Sequence, residues 1–566
     1  MLKIKKFLFI FGCSLALLMG CSNGNETVET SNGNETVETT EPKYQKEIIE
    51  NKNNNKGAYF IKFNNSKNVL SENEVGNFNV KFKSNNTTVN SLVFQDNNNN
   101  IGLNNKSAEN FYKYYYNDTS IIRKKTDEVM KNALSDTNWS NKNKVLFSNT
   151  KTENTELEVN ATKNFWIFDN NNKDTEQEAV LKFKNDVCNV WFINNASDKV
   201  TDKDIDFEEF ADKFNSIYEL NCEIMGSHNY GSPKFTNIIN SKDKIDIIVN
   251  DIFFDSNDNN KTATTVGYFY STDFITNEFL ENENPNYHSN ETQCIYIDSV
   301  ILKERPTLIY STLVHEFTHL LNFCQKICVQ GNENAMDHWF TEMLAMLSED
   351  MFYEKLCEDS NLLENSDNPI YQDFLNRFFL FGTNYNYGFT DIWNSEIYVK
   401  NPLIAYGNTY AYGAYLVRNK GGFELLKDIA QNEFINEKAI DEAIRNISQK
   451  YPKLHPEIKD FKTSSLYLSQ GILDCFISGF EDPISFKIEN SIKYGDTVLS
   501  FRPYNIRTIY TQQDGTQINS PICFDYNDKV PLRGYSCSIH YIENFESIEF
   551  NFDNNSPLEL YWVFIN

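Results

Sequence analysis

The chain has 566 residues, with 79 acidic against 52 basic side chains and a net charge of −27. At 40% hydrophobic and 14% aromatic residues it is too apolar for a disordered chain, and its length calls for several domains. A nucleic-acid binder needs a positive field over the phosphates, so the acidic balance excludes nucleic acid as the main partner.

Lys3, Lys5 and Lys6 precede an apolar run from Phe7 to Met19, the order and length of a secretory signal. The run is too short for an ordinary spanning helix. It ends in Leu18-Met19-Gly20-Cys21, which resembles a bacterial lipobox. That resemblance implies removal of residues 1–20, acylation of Cys21, and anchorage to a lipid bilayer. Ser22 carries no inner-membrane retention signal of that system, so the outer membrane, with exposure at the surface, is the expected destination. Residues 22–30 (SNGNETVET) recur letter for letter at 31–39 and offer no apolar face, so 21–55 reads as a flexible tether. Eleven cysteines are scattered without a CxxC pair, which supports neither a zinc ribbon nor an iron–sulfur site. Cys324 and Cys328 stand four apart, a poor spacing for a disulfide within regular helix.

From residue 57 to about 95 the runs AYFIKF, FNVKF and VNSLVF alternate like strands between Asn-rich turns, and 108–137 is more helical. Residues 56–155 therefore read as a β-rich N-terminal domain. NFWIF, AVLKF and CNVWFI predict three strands between 164 and 193. Phe207, Phe210, Phe214, Ile217 and Tyr218 fall at helical spacing. KIDIIVNDIFF, TVGYFYSTD and CIYIDSVIL predict further strands. Pro306 suits a helix N1 position ahead of TLIYSTLVHEFTHLLNF, a segment apolar on most of its surface and so expected to be buried against the sheet. Helices at 338–357 and about 408–419 follow, which closes an α+β core over 156–452. Short β-type runs from residue 453 predict a small all-β C-terminal domain, 453–566.

The chemistry is concentrated in the buried helix, which carries His315-Glu316-Phe317-Thr318-His319. Residues four apart share a helix face, so both imidazoles can approach one metal ion, with Glu316 beside them to take a proton from its water. With only seven histidines, HExxH is expected by chance on the order of 0.01 times in such a chain. Two core histidines bridged by hydrogen bonds are the plain alternative, but it leaves a carboxylate in an apolar segment unexplained. A catalytic zinc site needs a third protein ligand. The spacing of a metzincin would require Gly and His where Asn322 and Gln325 stand. Glu342, set among Phe340, Met343, Leu344 and Met346 in the next helix, is the preferred third ligand, with Asp337 the less favoured one.

HEFTHLLNF followed 23 residues after His319 by Glu342 in WFTEMLAMLSED resembles the gluzincin arrangement, and more closely the hyicolysin-like neutral zinc metallopeptidases, peptidase family M30. CNVWFI, FADKFNSIY, VGYFYSTD, ETQCIYIDSV and YGNTYAYGAYLVRNKGG extend the likeness over about 160–450. The resemblance implies a thermolysin-like core, one zinc ion on His315, His319 and Glu342, and Glu316 as general base. It implies an oxyanion donor, for which Tyr410 and Tyr412 come first. It also implies a peptide substrate added as a strand along Gly267, Tyr268 and Phe269. Glu349 or Asp350, two turns beyond Glu342, would orient a ligand imidazole. Met343 departs from the glycine that often follows the family's ligand glutamate. The expected activity is a zinc-dependent endopeptidase acting on proteins at or outside the cell surface. A zinc aminopeptidase would carry a GxMxN-like segment, which this chain lacks; a surface adhesin on a structural peptidase core would have no need of the intact acid set.

The lipobox expectation is open to a direct check: mass spectrometry of the mature N-terminal peptide should find Cys21 first and acylated. An unmodified Cys21 or another start would contradict it.

Overall fold

The computed structural model describes residues 44–51, 57–83, 129–135, 157–196, 198–254, 256, 265–284, 286–356, 369–451, 491–494, 497–501, 508–511, 517–553 and 556–565. The signal segment, Cys21, the repeat, the VNSLVF run and most of the 108–137 segment lie outside these residues.

The chain opens with β1 (Tyr44–Glu50), β2 (Gly57–Asn64) and β3 (Asn77–Phe82). The core sheet comprises β4 (Thr162–Phe168), β5 (Asp174–Lys184), β6 (Cys188–Phe192), β7 (Ile245–Asn250), β8 (Gly267–Phe269) and β9 (Cys294–Asp298). Between and after them run α1 (Phe207–Met225), α2 (Pro306–Phe323), α3 (His338–Leu356), α4 (Pro369–Asn384), α5 (Leu403–Leu416), α6 (Gly422–Gln431) and α7 (Asn436–Lys450). The tail adds the hairpins β10 (Ser491–Tyr494) with β11 (Thr497–Ser500) and β12 (Thr508–Thr511) with β13 (Gln517–Ser520). It closes with β14 (Cys537–Glu543), β15 (Phe545–Asp553) and β16 (Leu558–Ile565).

The six-stranded sheet has the order β4-β5-β6-β7-β9-β8. Its centre is parallel, β6 to β7 to β9, and both margins are antiparallel. Parallel strands are normally covered on both faces, and β7 (IDIIVN) and β9 (CIYID) are buried at every position. On one face Val190, Phe192, Ile247, Val249, Ile295 and Ile297 join the core of α1, α2 and α3. On the other, Phe165, Leu181, Trp191, Ile248 and Tyr296 form a second cluster. The one acid inside β7, Asp246, is satisfied there by Trp191 Nε1 at 2.9 Å and Thr292 Oγ1 at 2.9 Å.

The multidomain α+β class holds, with a thermolysin-like core and a small all-β unit beside it. The expected partition of that unit needs correcting. β2 lies between β14 and β16, and β15 lies between β1 and β3, so strands from the two ends of the chain share their sheets. The expected tether accordingly stops short of residue 55, because Tyr44–Glu50 pairs along its whole length with β15. Local alternation marks a strand but does not say which strand, hundreds of residues away, will satisfy its backbone. The unit is fastened to the helical side of the core by Tyr385, whose hydroxyl donates to Ile522 O (2.7 Å) and accepts from Ile539 N (3.2 Å), and by the Arg533–Asp391 pair at 2.8 Å. Among the described residues, no helix is long and apolar enough to cross a membrane.

Phe60 and Ile61 of β2 are fully buried. Relative to a chain beginning at Tyr44, one beginning at Asn65 should therefore unfold at a midpoint lower by about 5 °C or more, the scale of several lost core side chains. Thermal denaturation followed by circular dichroism checks this, and equal midpoints would contradict it.

Candidate metal centre

The helix α2 begins with Pro306 at N1, where the missing N–H costs nothing. Leu308, Ile309, Leu313, Val314, Phe317, Leu320 and Leu321 are buried, so the helix is inserted into the core rather than laid upon it. From Ser311 to the end of α2 only Thr312, His315 and His319 keep some exposure, the two histidines 14% and 13% of their side chains. The chain continues through a π-helical turn, Cys324–Val329, and the irregular segment 330–337, and re-enters the core as α3. Cys324 and Cys328 are free and buried in that turn, as are the other described cysteines that lie in strands.

Glu342 is buried in α3 and reaches the histidine pair. His315 Nε2 and His319 Nε2 stand 3.0 Å apart, and Glu342 Oε2 lies 3.2 Å from the first and 3.6 Å from the second. Ligand atoms held at about 2.0–2.1 Å around a tetrahedral ion stand about 3.3 Å from one another, so the triangle has the size that one zinc-like ion requires. Two imidazole nitrogens turned on each other and on a carboxylate also call for a cation or proton among them. Among the described residues this is the one His/Cys/Asp/Glu group of metal-binding compactness. Asp337 is not part of it: it accepts from Trp339 Nε1 at 3.2 Å at the start of α3.

A second layer fixes the first. Glu349 Oε1 accepts from His315 Nδ1 at 2.6 Å, while its Oε2 accepts from Ser311 Oγ and Arg377 Nη2, each at 2.9 Å. Of the two acids expected in this role, Glu349 takes it because seven residues bring it back to the face of Glu342, whereas Asp350 is turned about 100° further around α3. Asp350 pairs instead with the fully buried Arg418 at 2.7 Å and accepts from the Tyr410 hydroxyl at 3.0 Å. Tyr410 is thus committed to a buried ion pair. Tyr412 is buried with its ring stacked on Phe389 at 4.3 Å. Met343 turns toward α5, where a Cβ on Gly413 would meet its Cγ at 2.6 Å. A glycine on the facing helix therefore makes room for the methionine.

Burial opposes charge on Glu316, His315, Glu342 and Glu349, and the neighbours overturn it on all but Glu316. It pushes the Glu316 carboxyl up, against the pull of His315 and His319. For His315 burial acts downward but is overridden by Glu342 and Glu349, which hold the imidazole proton well above its usual range in the metal-free protein. Glu342 and Glu349 stay below the ordinary carboxylate range despite burial, the first through His319 and His315, the second through Arg377 and His315.

The edge strand is where it was expected, though shorter. β8 pairs with β9 on one side, and among the described residues nothing pairs with its other side. Phe269 packs toward α2 against Phe274 and Phe323, while Tyr268 faces the opposite layer and stacks on Tyr296 at 4.2 Å. Only the backbone of Tyr268 is on offer at the site face. A Cβ on Gly267 would stand 2.6 Å from Thr312 Cγ2, 3.0 Å from Tyr296 O and 3.3 Å from Glu316 Cγ, so the absent side chain lets the strand lie against the helix turn that carries Glu316.

Sequence reading missed Ser311 and Arg377. Ser311 sits one turn before His315 on α2 and was legible from that spacing; Arg377 is an isolated basic residue in a distant helix and carries no local signal.

The Peptidase M30 family model matches residues 169–480, more than half of the chain. The neutral metalloprotease ShpI of Staphylococcus hyicus is 26% identical over 288 residues, which is 48% of this chain and 55% of that protein. The chain thus spans about half the length of the curated relative it matches.

Gly267→Ala is expected to destabilise the protein by about 1–3 kcal/mol, the range of overpacking in a close-packed core. Adding Thr312→Ser, which removes the clashing Cγ2, should restore part of that loss. Urea denaturation measures both; a neutral Gly267→Ala would show that the strand does not depend on this contact.

Proposed function

The chain belongs to the peptidase M30 family, and on that premise we propose that it is a zinc-dependent endopeptidase hydrolysing peptide bonds of proteins at the cell surface or outside the cell. The observation that carries the reading is the His315–His319–Glu342 triangle, whose nitrogen and oxygen donors and edge lengths suit one zinc ion. When bound there, zinc supplies Lewis acidity to a water and to the scissile carbonyl. Glu316 is the residue that takes the water's proton and delivers it to the leaving amine. Its burial raises its proton affinity toward the working pH, which suits a group that must both accept and donate. Glu349 holds the His315 ring by Nδ1 and so leaves Nε2 free to ligate. An extended substrate adds to the outer side of β8, with Gly267 bringing that strand close to Glu316. An open sheet edge accepts the middle of a chain as readily as its end, which favours cleavage within proteins.

For location we propose a lipid anchor on acylated Cys21 in the bacterial outer membrane. The basic, apolar, Gly-Cys order of residues 1–21 supports it. Since β1 begins at Tyr44, the span from Cys21 to the folded unit is at most about 80 Å of extended chain.

Glu316→Gln keeps shape but removes the proton acceptor. Zinc content should be unchanged while turnover on a defined peptide falls by at least about a hundredfold. Glu342→Ala should instead lose zinc. Elemental analysis and mass-spectrometric mapping of cut sites, with and without a chelator, check the pair. Wild-type cleavage by Glu316→Gln would refute the mechanism, and a zinc-loaded wild type that cuts nothing across a broad peptide library would refute the activity.

A further inference from the structure

Behind the ligand triangle stands a buried cation supplied by a helix that contributes no ligand. Arg377 is 7% exposed, and its Nη2 donates to Glu349 Oε2 at 2.9 Å while Oε1 of the same carboxylate holds His315 Nδ1 at 2.6 Å. Its guanidinium lies 5.3 Å from the centre of the Tyr410 ring, and the Tyr410 hydroxyl is tied to Asp350, itself paired with Arg418. The backbone supports the placement. A Cβ on Gly407 of α5 would stand 2.7 Å from Arg377 O and 3.1 Å from Leu380 Cβ, so a glycine lets α4 and α5 approach at the level of the arginine.

We propose that Arg377 is a positioning residue for the metal site: acting through Glu349, it locks the ring of His315 and thereby sets the affinity for the metal. The proposal rests on the zinc reading above and adds to it a residue far from the motif. Charge balance supports it. Glu316, Glu342 and Glu349 are three carboxylates withdrawn from water in one site. A divalent ion and one guanidinium neutralise them, and Asp350 does not compete because Arg418 already faces it at 2.7 Å. A buried carboxylate stripped of its cation is costly, so without Arg377 the Glu349 side chain gains by rotating out or recruiting water, and either releases His315. Arginine suits the task better than lysine because its fork can hold one carboxylate oxygen while its flat face rests on an aromatic ring.

The test is a double-mutant cycle read in zinc affinity, on the full chain, by competition with a chromophoric chelator. Arg377→Met should bind zinc about tenfold more weakly or worse, the scale for loss of an outer-layer partner. Arg377→Lys should recover part of that loss. In a Glu349→Gln background, Arg377→Met should have no further effect, since the residue through which it acts is already neutral. Two results would overturn the proposal: wild-type zinc affinity in Arg377→Met, or the same fold-loss in both backgrounds, which is what mere packing support would give. If Arg377→Met does not fold, Arg377→Lys carries the same cycle. Peptide cleavage by the wild type is scored separately. Zinc binding without cleavage refutes the endopeptidase reading alone, and unchanged zinc affinity in Arg377→Met refutes the positioning role alone.

Discussion

Three carboxylates kept out of water beside two imidazoles are the constraint around which the core is arranged. Glu316, Glu342 and Glu349 would repel one another strongly in so dry a place, and each would sooner take up a proton than remain charged. They stay because each has a partner of opposite sign or a claim on a shared cation: His315 and His319 face Glu342, while Arg377 and His315 face Glu349. Glu316 alone is left with raised proton affinity, and it is the group in the proposed reaction that must exchange a proton. The same burial thus serves two ends, holding the His315–His319–Glu342 triangle rigid and leaving Glu316 with the proton affinity the proposed reaction uses.

Such an arrangement needs rigid walls, and the fold supplies them by close backbone approach. α2 presses on the edge strand at Gly267, α5 on α3 at Gly413, and α4 on α5 at Gly407. At each point a Cβ would collide with a neighbour at 2.6 or 2.7 Å. The glycines let four helices and one strand converge on a few side chains. They also explain why Met343 is compatible with the site: its volume is taken up by the space above Gly413 and not by the space around the ligands. Asp350, Arg418 and Tyr410 form a second buried polar group about 100° further around α3, so one helix carries Glu342 and the acid that holds His315 on one face and an internal ion pair on the next.

The terminal β unit follows a different logic. Its core of Phe60, Phe78, Phe545 and Phe550 is separate from the core around α2 and α3 and closes only when strands from both ends of the chain are present. Tyr385 and Arg533 then fasten it to the helical half that also provides Arg377. The helices behind the His315–His319–Glu342 triangle are therefore braced from outside by strands that belong to neither the motif nor the core sheet.

Much of the site was legible in the sequence because its information is local. The i,i+4 histidines need only a helix to share a face, the apolar run around them dictates burial, and an acid alone among apolar neighbours in the next helix points inward. The strands of the core sheet announced themselves by β-branched and aromatic runs. What the sequence could not convey is pairing at a distance. The choice between Glu349 and Asp350 turned on 100° of helix rotation relative to His315, which depends on how α3 docks. The role of Tyr410 was fixed by an arginine eight residues on and an aspartate sixty residues back. Arg377 has no motif around it at all, and β1 and β2 have partners at the far end of the chain. Residue types and short spacings determined which chemistry this protein carries. Only the packing of helices and the pairing of strands decided which of several equally polar side chains stands where that chemistry needs support, because electrostatic and steric complementarity is a property of neighbours in space and not of neighbours in sequence.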